Sequence, residues 1–363
     1  MTVNGVSVVV AVYHAGDLLP RLIDNLEIQE DFILNNNLEI LLVYGNENED
    51  LSQFKEKSGI RLLYNANKDP MSAKSIGFRH AKFEYISFLD QDEILINPSS
   101  LKQKVALFDA FENLLIVFPT GYLNRAEDGY PNIYTSEYGD PYNLFFFKIR
   151  NNCSRAQNLS TRLGLADNGS YYINNSVLTK MDSVLLESSS MSVTVAKSRL
   201  TAIFPEDQLQ RESLPLLSYL ISNREMPYSL AILKDDLVEH RSSASWRIIL
   251  SKIKWRVSNT LSVPGSDEAV SAGIVARMLS TDSSKSSKSD LLKKIVFFSR
   301  NSWYILRLVL FVPVALRTLV IIYQQKQIAF VWHLILEYSV PYYVSIGLVS
   351  KLKSFVLSFF HSH

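Results

Sequence analysis

Two hydrophobic periodicities alternate between Val6 and Phe118. Residues 6–13 (VSVVVAVY) are β-branched and almost wholly apolar, the pattern of a parallel strand covered on both faces. Residues 18–26 then space their apolar positions helically. Residues 38–44 (LEILLVY) predict a second buried strand, and 59–64 a shorter third one. Residues 72–82 predict a helix, 85–89 a strand, 101–111 a helix and 114–118 a strand. Strands and helices in alternation predict an α/β fold, a mostly parallel sheet flanked by helices. Ligands of such sheets sit at the carboxyl ends of the strands. The chain just after Tyr13, Tyr44 and Leu89 is therefore where chemistry is expected.

Farther along, the periodicity weakens. Residues 121–150, rich in Tyr, Gly, Pro and Asn, read as loops with an apolar patch at 144–147. A helix is predicted over 208–222. Residues 280–290 (STDSSKSSKSD) read as a flexible linker. Beyond them lie two strongly apolar stretches, 303–323 and 328–349, each near the length that spans a bilayer. Arg307 and Arg317 in the first make a true span costly, so interfacial helices or a re-entrant hairpin compete with it. Residues 245–257 carry Arg247, Lys252, Lys254 and Arg256, no acid, and Trp246 and Trp255. That mixture suits a membrane interface, or an amphipathic helix packed on the preceding domain.

Bulk composition narrows the classes. The 363 residues suffice for one large α/β domain with an accessory segment. A formal net charge of +1 gives no support to nucleic-acid binding. The lone Cys153 cannot form an internal disulfide, which fits a reducing compartment. Residues 1–13 lack a positive n-region and a small-residue cleavage site, so they read as a strand and not as a signal peptide.

Candidate chemistry centres on Asp90-Gln91-Asp92, directly after a buried strand. In an extended chain, residues i and i+2 point the same way, so both carboxylates would face one cation. A hard divalent ion takes one or two carboxylates and completes its shell with phosphate oxygens and water. Taken alone, an Asp-x-Asp reads more readily as a solvated acidic turn. Glu206-Asp207 opens the helix predicted over 208–222, where acids also favour a helix N-terminus electrostatically. His240 follows Leu237-Val238-Glu239 and reads either as a ligand or as a structural histidine.

The run from Asn67 through Lys74, Gly77 and Ala81 to Asp90-Gln91-Asp92 resembles the core of family 2 glycosyltransferases of the GT-A fold. That family shows an Asn-rich turn, an Ala-Arg-Asn-x-Gly-like helix and a strand running into Asp-x-Asp. Residues 8–13 look like its first strand and 39–43 like its second. Phe204-Pro205-Glu206-Asp207 resembles its Glu-Asp motif. The resemblance implies Asp207 as general base, and donor contacts at Ala11, Tyr13, Lys74, Asp90 and Asp92. It also implies a divalent metal, Mn or Mg, held by Asp92, Asp90 and His240. Two departures stand out. Tyr44-Gly45 replaces the acids that read the nucleotide base, and Lys74 replaces an arginine, keeping charge but losing the bidentate fork.

The expectation is a GT-A-like catalytic domain over 1–245, a basic amphipathic helix with a Ser-rich linker over 246–290, and apolar membrane-associated helices over 291–363. It would transfer a sugar, with inversion, from a nucleotide-sugar donor to a hydroxyl of a glycan or lipid-linked acceptor. Its place would be the cytoplasmic face of a membrane. A nucleotidyltransferase, or a non-catalytic relative that binds glycan or a partner, remain the alternatives.

Overall fold

The structure, a computed structural model, describes residues 5–13, 16–29, 37–46, 49–68, 70–123, 129–138, 141–142, 145, 170–174, 192–203, 228–240, 245–261 and 312–361. The chain forms two compact units, Met1–Asn124 with Asn152–Ser242, and Arg125–Asn151 with Ser243–His363.

The first unit opens with β1 (Val6–Val12), α1 (Leu18–Glu27), β2 (Leu38–Tyr44), a short α2 (Ser52–Lys55) and β3 (Ile60–Tyr64). Next come α3 (Pro70–His80), β4 (Tyr85–Asp90), β5 (Glu93–Leu95), α4 (Ser100–Ala110), β6 (Leu114–Phe118) and β7 (Gly121–Leu123). Strands β1 to β4 and β6, and helices α1, α3 and α4, fall where the hydrophobic pattern predicts, within two residues at each end, whereas the short α2 was not predicted. β1 is buried along its whole length because both its faces are covered. Val6, Val8, Val10 and Val12 share one core cluster with Leu19, Leu22, Ile23 and Leu26 of α1. Val9 and Ala11 share the opposite one with Ala73 and Phe78 of α3. Helix α3 lies close on the strand because Gly77 has no side chain; a Cβ there would stand 2.2 Å from Val9 Cγ1.

Later segments complete two sheets with β8 (Ser170–Asn174), β9 (Val193–Ala196), α6 (Lys197–Ile203), β10 (Ser229–Leu233) and β11 (Leu237–His240). The larger sheet runs β3-β2-β1-β4-β9-β6-β10-β8. β1 is parallel to β2 and β4, and β2 to β3. β9 is antiparallel to both its neighbours, β4 and β6. The sheet is thus mostly parallel with an antiparallel strand set into its middle. The smaller sheet runs β5-β11-β7.

A chain of side-chain bonds pins the smaller sheet. Lys104 of α4 is fully buried, and its Nζ donates to Ser192 O (2.8 Å) and Ser192 Oγ (2.7 Å) and lies 2.9 Å from Asp236 Oδ2. Three partners match the three N–H donors of an ammonium. Asp236 just precedes β11, and its carbonyl accepts from the Thr120 N–H (2.9 Å) just before β7.

The second unit is helical in its described residues. It contains α5 (Gly129–Glu137), α7 (Trp246–Leu261), α8 (Val312–Gln325), a 3-10 turn (Ile328–Val331) and α9 (Trp332–His361). Ile249, Ile253 and Val257, one stripe of α7, share a core cluster with Val314 and Ile321 of α8 and Leu336 and Val340 of α9. Buried Tyr134 joins that cluster, and its hydroxyl lies 2.7 Å from His333 Nδ1. Strand β7 and helix α5 fall within 121–150, where loops were expected. Gly, Pro and β-branched residues give α5 poor intrinsic helicity, and packing of Tyr134 overrides it. Among the described residues, no helix is long and apolar enough to cross a membrane. The helix predicted over 208–222 and the linker at 280–290 lie outside the described residues.

Candidate active site

Strand β4 ends at Asp90, and Gln91-Asp92 is a turn, not extended chain. Glu93 then starts β5. The two aspartates of the motif therefore meet different partners. Asp90 Oδ1 lies 2.9 Å from Lys74 Nζ on α3. Asp92 Oδ2 lies 3.4 Å from His240 Nε2 at the end of β11. Tyr13, at the exposed end beyond β1, donates its backbone N–H to Gln91 Oε1 (2.7 Å), fastening the turn to the neighbouring strand. Ala11, opposite Asp90 in the β1–β4 register, is buried. Ala11, Tyr13, Lys74, Asp90, Asp92 and His240 are thus placed by strand ends and by α3 in the first unit. Asp207 lies outside the described residues.

Lys74 is only 11% exposed. Burial alone would lower its ammonium, but Asp90, Glu93 and Asp92 outweigh that and hold it above the usual lysine value. Glu93 is fully buried. Burial first, and the Asp90 carboxylate second, push its carboxyl well above the ordinary range, against the pull of Lys74. Its Oε2 accepts the Asp90 N–H (3.0 Å), closing the turn from inside.

His240 reaches Asp92 by strand pairing. In the antiparallel β5–β11 ladder His240 stands directly opposite Glu93. The Tyr122 ring of β7 lies 5.6 Å from the imidazole. One residue earlier, buried Glu239 is held at 2.9 Å by Arg21 of α1. Glu93, Tyr122 and Arg21 were not singled out by their sequence. Glu93 extends the Asp-x-Asp run by one acid, which was a signal; nothing local marks Tyr122 or Arg21.

Among the described residues, no group of three or more His, Cys, Asp or Glu side chains is arranged to hold a metal ion. Asp92 and His240 still offer a fitting pair. Two ligands each about 2.1 Å from one ion, at ordinary angles, stand about 3.0–3.5 Å apart. The observed 3.4 Å falls in that interval. Phosphate oxygens and water commonly complete such a shell.

At Gly45 the backbone leaves no room for a side chain. A Cβ on Gly45 would stand 2.8 Å from Lys68 Cα and 3.3 Å from Asn65 O. The turn at 65–68, with Lys68 at φ 56°, occupies the space an acid would need.

The fold is an α/β sheet, and two carboxylates, a lysine and a histidine gather at strand ends of its first unit. Residues 7–164, under half of the chain, match the family model "Glycosyl transferase family 2", so this stretch is similar to that family's domain. The resemblance read from the motifs is borne out over that span. Two relatives carry the name uncharacterized glycosyltransferase. That of Rickettsia felis is 29% identical, and that of Rickettsia conorii 27%, each over 128 residues. Those alignments cover 34% of this chain, and the chain spans only 20% of the length of either relative. Among solved structures, S. aureus TarS in complex with UDP-GlcNAc is 15% identical, with a TM-score of 0.40 over 76% of this chain and 71% of that one. Glucosyl-3-phosphoglycerate synthase from Mycobacterium tuberculosis, in complex with Mn2+, UDP and phosphoglyceric acid, is 15% identical, with a TM-score of 0.44 over 77% and 80%.

Proposed function

We propose that the chain is an inverting glycosyltransferase, moving a sugar from a nucleotide-sugar donor to a hydroxyl of a glycan or lipid-linked acceptor. The observation that carries this reading is the placing of His240 beside Asp92, at the mouth of a parallel sheet inside a family 2 domain. Asp92 and His240 hold a divalent ion, Mn or Mg, and Asp90 borders it. Such an ion, when bound, offsets charge on a diphosphate leaving group. Lys74 keeps a permanent positive charge beside Asp90, orients that carboxylate and faces the donor phosphates. Ala11 and Tyr13 flank the donor at the end of β1, where a buried small residue leaves room and an exposed ring offers a surface. Asp207 takes the proton of the acceptor hydroxyl, so one base suffices and no covalent intermediate forms. The catalytic part covers 1–245, a basic helix and linker 246–290, and an apolar part 291–363 that attaches to the cytoplasmic face of a membrane.

One observation favours a second reading, a non-catalytic relative. Lys74 already neutralises Asp90, and Gly45 leaves no seat for a base-reading acid. A panel of nucleotide sugars, tested with and without manganese, separates the readings. Metal-dependent release of nucleoside diphosphate from one donor, lost in Asp92→Ala, supports the transferase. In Asp207→Asn, donor binding persists while transfer falls by on the order of 10²- to 10⁴-fold. Binding of nucleoside diphosphate without turnover supports the non-catalytic relative. Pyrophosphate released from a nucleoside triphosphate and a sugar phosphate points to a nucleotidyltransferase.

A further inference from the structure

Helix α8 is apolar on two sides. Val314, Thr318 and Ile321 face inward and are buried. Val312, Leu316, Leu319, Val320 and Tyr323 face outward, at the i, i+4, i+7, i+8, i+11 spacing of a single stripe. Leu319 is 61% and Tyr323 84% exposed. Past the helix, Ile328, 75% exposed, and Val331 are further exposed apolar side chains. An ordinary surface helix turns charged residues outward. Here the one charged residue of α8, Arg317, has its guanidinium 3.8 Å from Glu337, a buried acid of α9. The stripe is left without charge.

We infer that this stripe lies in the plane of an anionic lipid surface, with Val312, Leu316, Leu319, Val320 and Tyr323 immersed. The inference deepens the membrane attachment proposed above and is independent of the catalytic reading. Packing argues for lying flat: Val314 and Ile321 of α8 sit in the core cluster with α7 and α9, so one side of the helix faces protein while the stripe on the other is open. In-plane helices immerse one face to the boundary of headgroups and acyl chains, where tyrosine and tryptophan rings are favoured.

Charge decides between a bilayer and a second copy of the chain. Among the described residues of the second unit, Arg247, Lys252, Lys254, Arg256 and Lys326 are exposed or partly exposed, against Glu137 as the exposed acid. Helix α7 has no acid in its 16 residues and shows Ile248 and Trp255 between its bases. Two copies brought together through such a unit repel, whereas anionic headgroups attract each basic residue near the surface. The apolar stripe and the basic helix then act together, one by immersion and the other by charge.

Flotation of the full-length protein tests this, with vesicles of phosphatidylcholine alone and of phosphatidylcholine with phosphatidylglycerol. Wild type is expected to float with the anionic vesicles, and less as salt rises. The double variant Leu316→Glu, Leu319→Glu, with both changes at exposed positions, is expected to lose about tenfold in vesicle affinity. The pair Arg247→Glu, Lys254→Glu is expected to flatten the salt dependence. Circular dichroism confirms that each variant is folded, and the milder Leu319→Ser is expected to show a smaller loss in the same direction. A stripe variant that floats like wild type overturns the assignment of this face while leaving membrane attachment standing. Wild type that floats with neither vesicle overturns attachment as well. A wild-type oligomer that the stripe variant dissociates, with no flotation, makes the stripe a contact between copies and overturns the lipid assignment. Manganese-dependent release of nucleoside diphosphate, measured on the same preparations, reports on the catalytic reading separately.

Discussion

The two compact units treat apolar groups in opposite ways. In the first, fully buried charges such as Lys104 and Asp236 are matched, and large apolar side chains are inside. Four large hydrophobic residues are exposed among its described residues, against thirteen in the second unit, of which fewer residues are described. The second unit has a genuine core, built on Ile249, Ile253, Val314, Leu336 and Val340, so its exposed apolar residues are not a failure to fold. They are a second apolar face on helices whose first face is already used. The difference teaches that the hydrophobicity of a segment and its burial are separate properties. α1 of the first unit buries one apolar face and shows a polar one, whereas α8 buries one apolar face and shows another.

Replacing one partner of the buried pair should break this contrast most sharply. Lys104→Met leaves Asp236 buried without its cation, and the expected loss is about 3–5 kcal/mol. Urea unfolding followed by hydrogen exchange should place that loss in the first unit. The double variant Lys104→Met, Asp236→Leu should recover most of it, since two well-packed apolar groups replace the pair. A smaller cost is expected inside the second unit. Ile253→Ala removes a fully buried side chain of α7 and should cost about 2–5 kcal/mol. If it costs less than about 1 kcal/mol, the cluster around α7 is not a packed core, and the two units differ in kind.

Glu39 on β2 offers a third, weaker probe. Its carboxylate accepts from Ser7 Oγ (2.6 Å), the Lys82 N–H (2.9 Å) and Arg61 Nη1 (2.7 Å). Burial would raise its pKa, but these donors outweigh burial and hold it below the ordinary carboxylate value. A carboxyl whose folded pKa is depressed adds stability above its unfolded value, about 4.3 for Glu. That stability is lost as pH falls through the lower folded value. Glu39→Gln should cost about 1–3 kcal/mol at neutral pH. It should also flatten the loss of stability that wild type shows in acid, as read by unfolding curves across pH. The smallest effect is expected on the exposed stripe. Leu319→Ser should change stability in lipid-free buffer by no more than about 0.5 kcal/mol, although the same type of change at Leu26 of α1, fully buried, would be severe.

Much of the first unit was legible in its residues. β1 to β4 are consecutive apolar runs, with helical periods after β1 and β3, so the strands and their parallel direction followed from local pattern, while their order in the sheet did not. β9 was not legible. It is four residues long, Val-Thr-Val-Ala, and its place between β4 and β6 depends on partners far away in the chain. α5 was hidden because Gly129, Pro131 and Thr135 point away from a helix, and only packing of Tyr134 reveals it. In the candidate site, Asp90 and Asp92 could be found because they follow a buried strand, and Lys74 through the resemblance of its helix to the family's motif. The turn at Gln91-Asp92 could not, and with it went the notion that both carboxylates look the same way. Glu93 resisted for a different reason. An acid in a run of acids reads as solvated, and its burial is decided by the β5–β11 pairing.

The position of β9 also has a consequence in time. The ribosome delivers β3, β2, β1 and β4 within the first ninety residues, and those four can pair at once. The open edge of β4 must then wait for Val193–Ala196. At ~5–20 residues per second, roughly 5–20 s of translation separate the two. Throughout that interval a hydrophobic edge strand stands uncovered on the nascent chain, which is the geometry most prone to pairing with the wrong neighbour. β6 emerges early but cannot join, because the strand that bridges it to β4 has yet to be made. A chain released between β6 and β9 would hold one four-stranded block and a β6 with neither of its neighbours, β9 and β10, to join it.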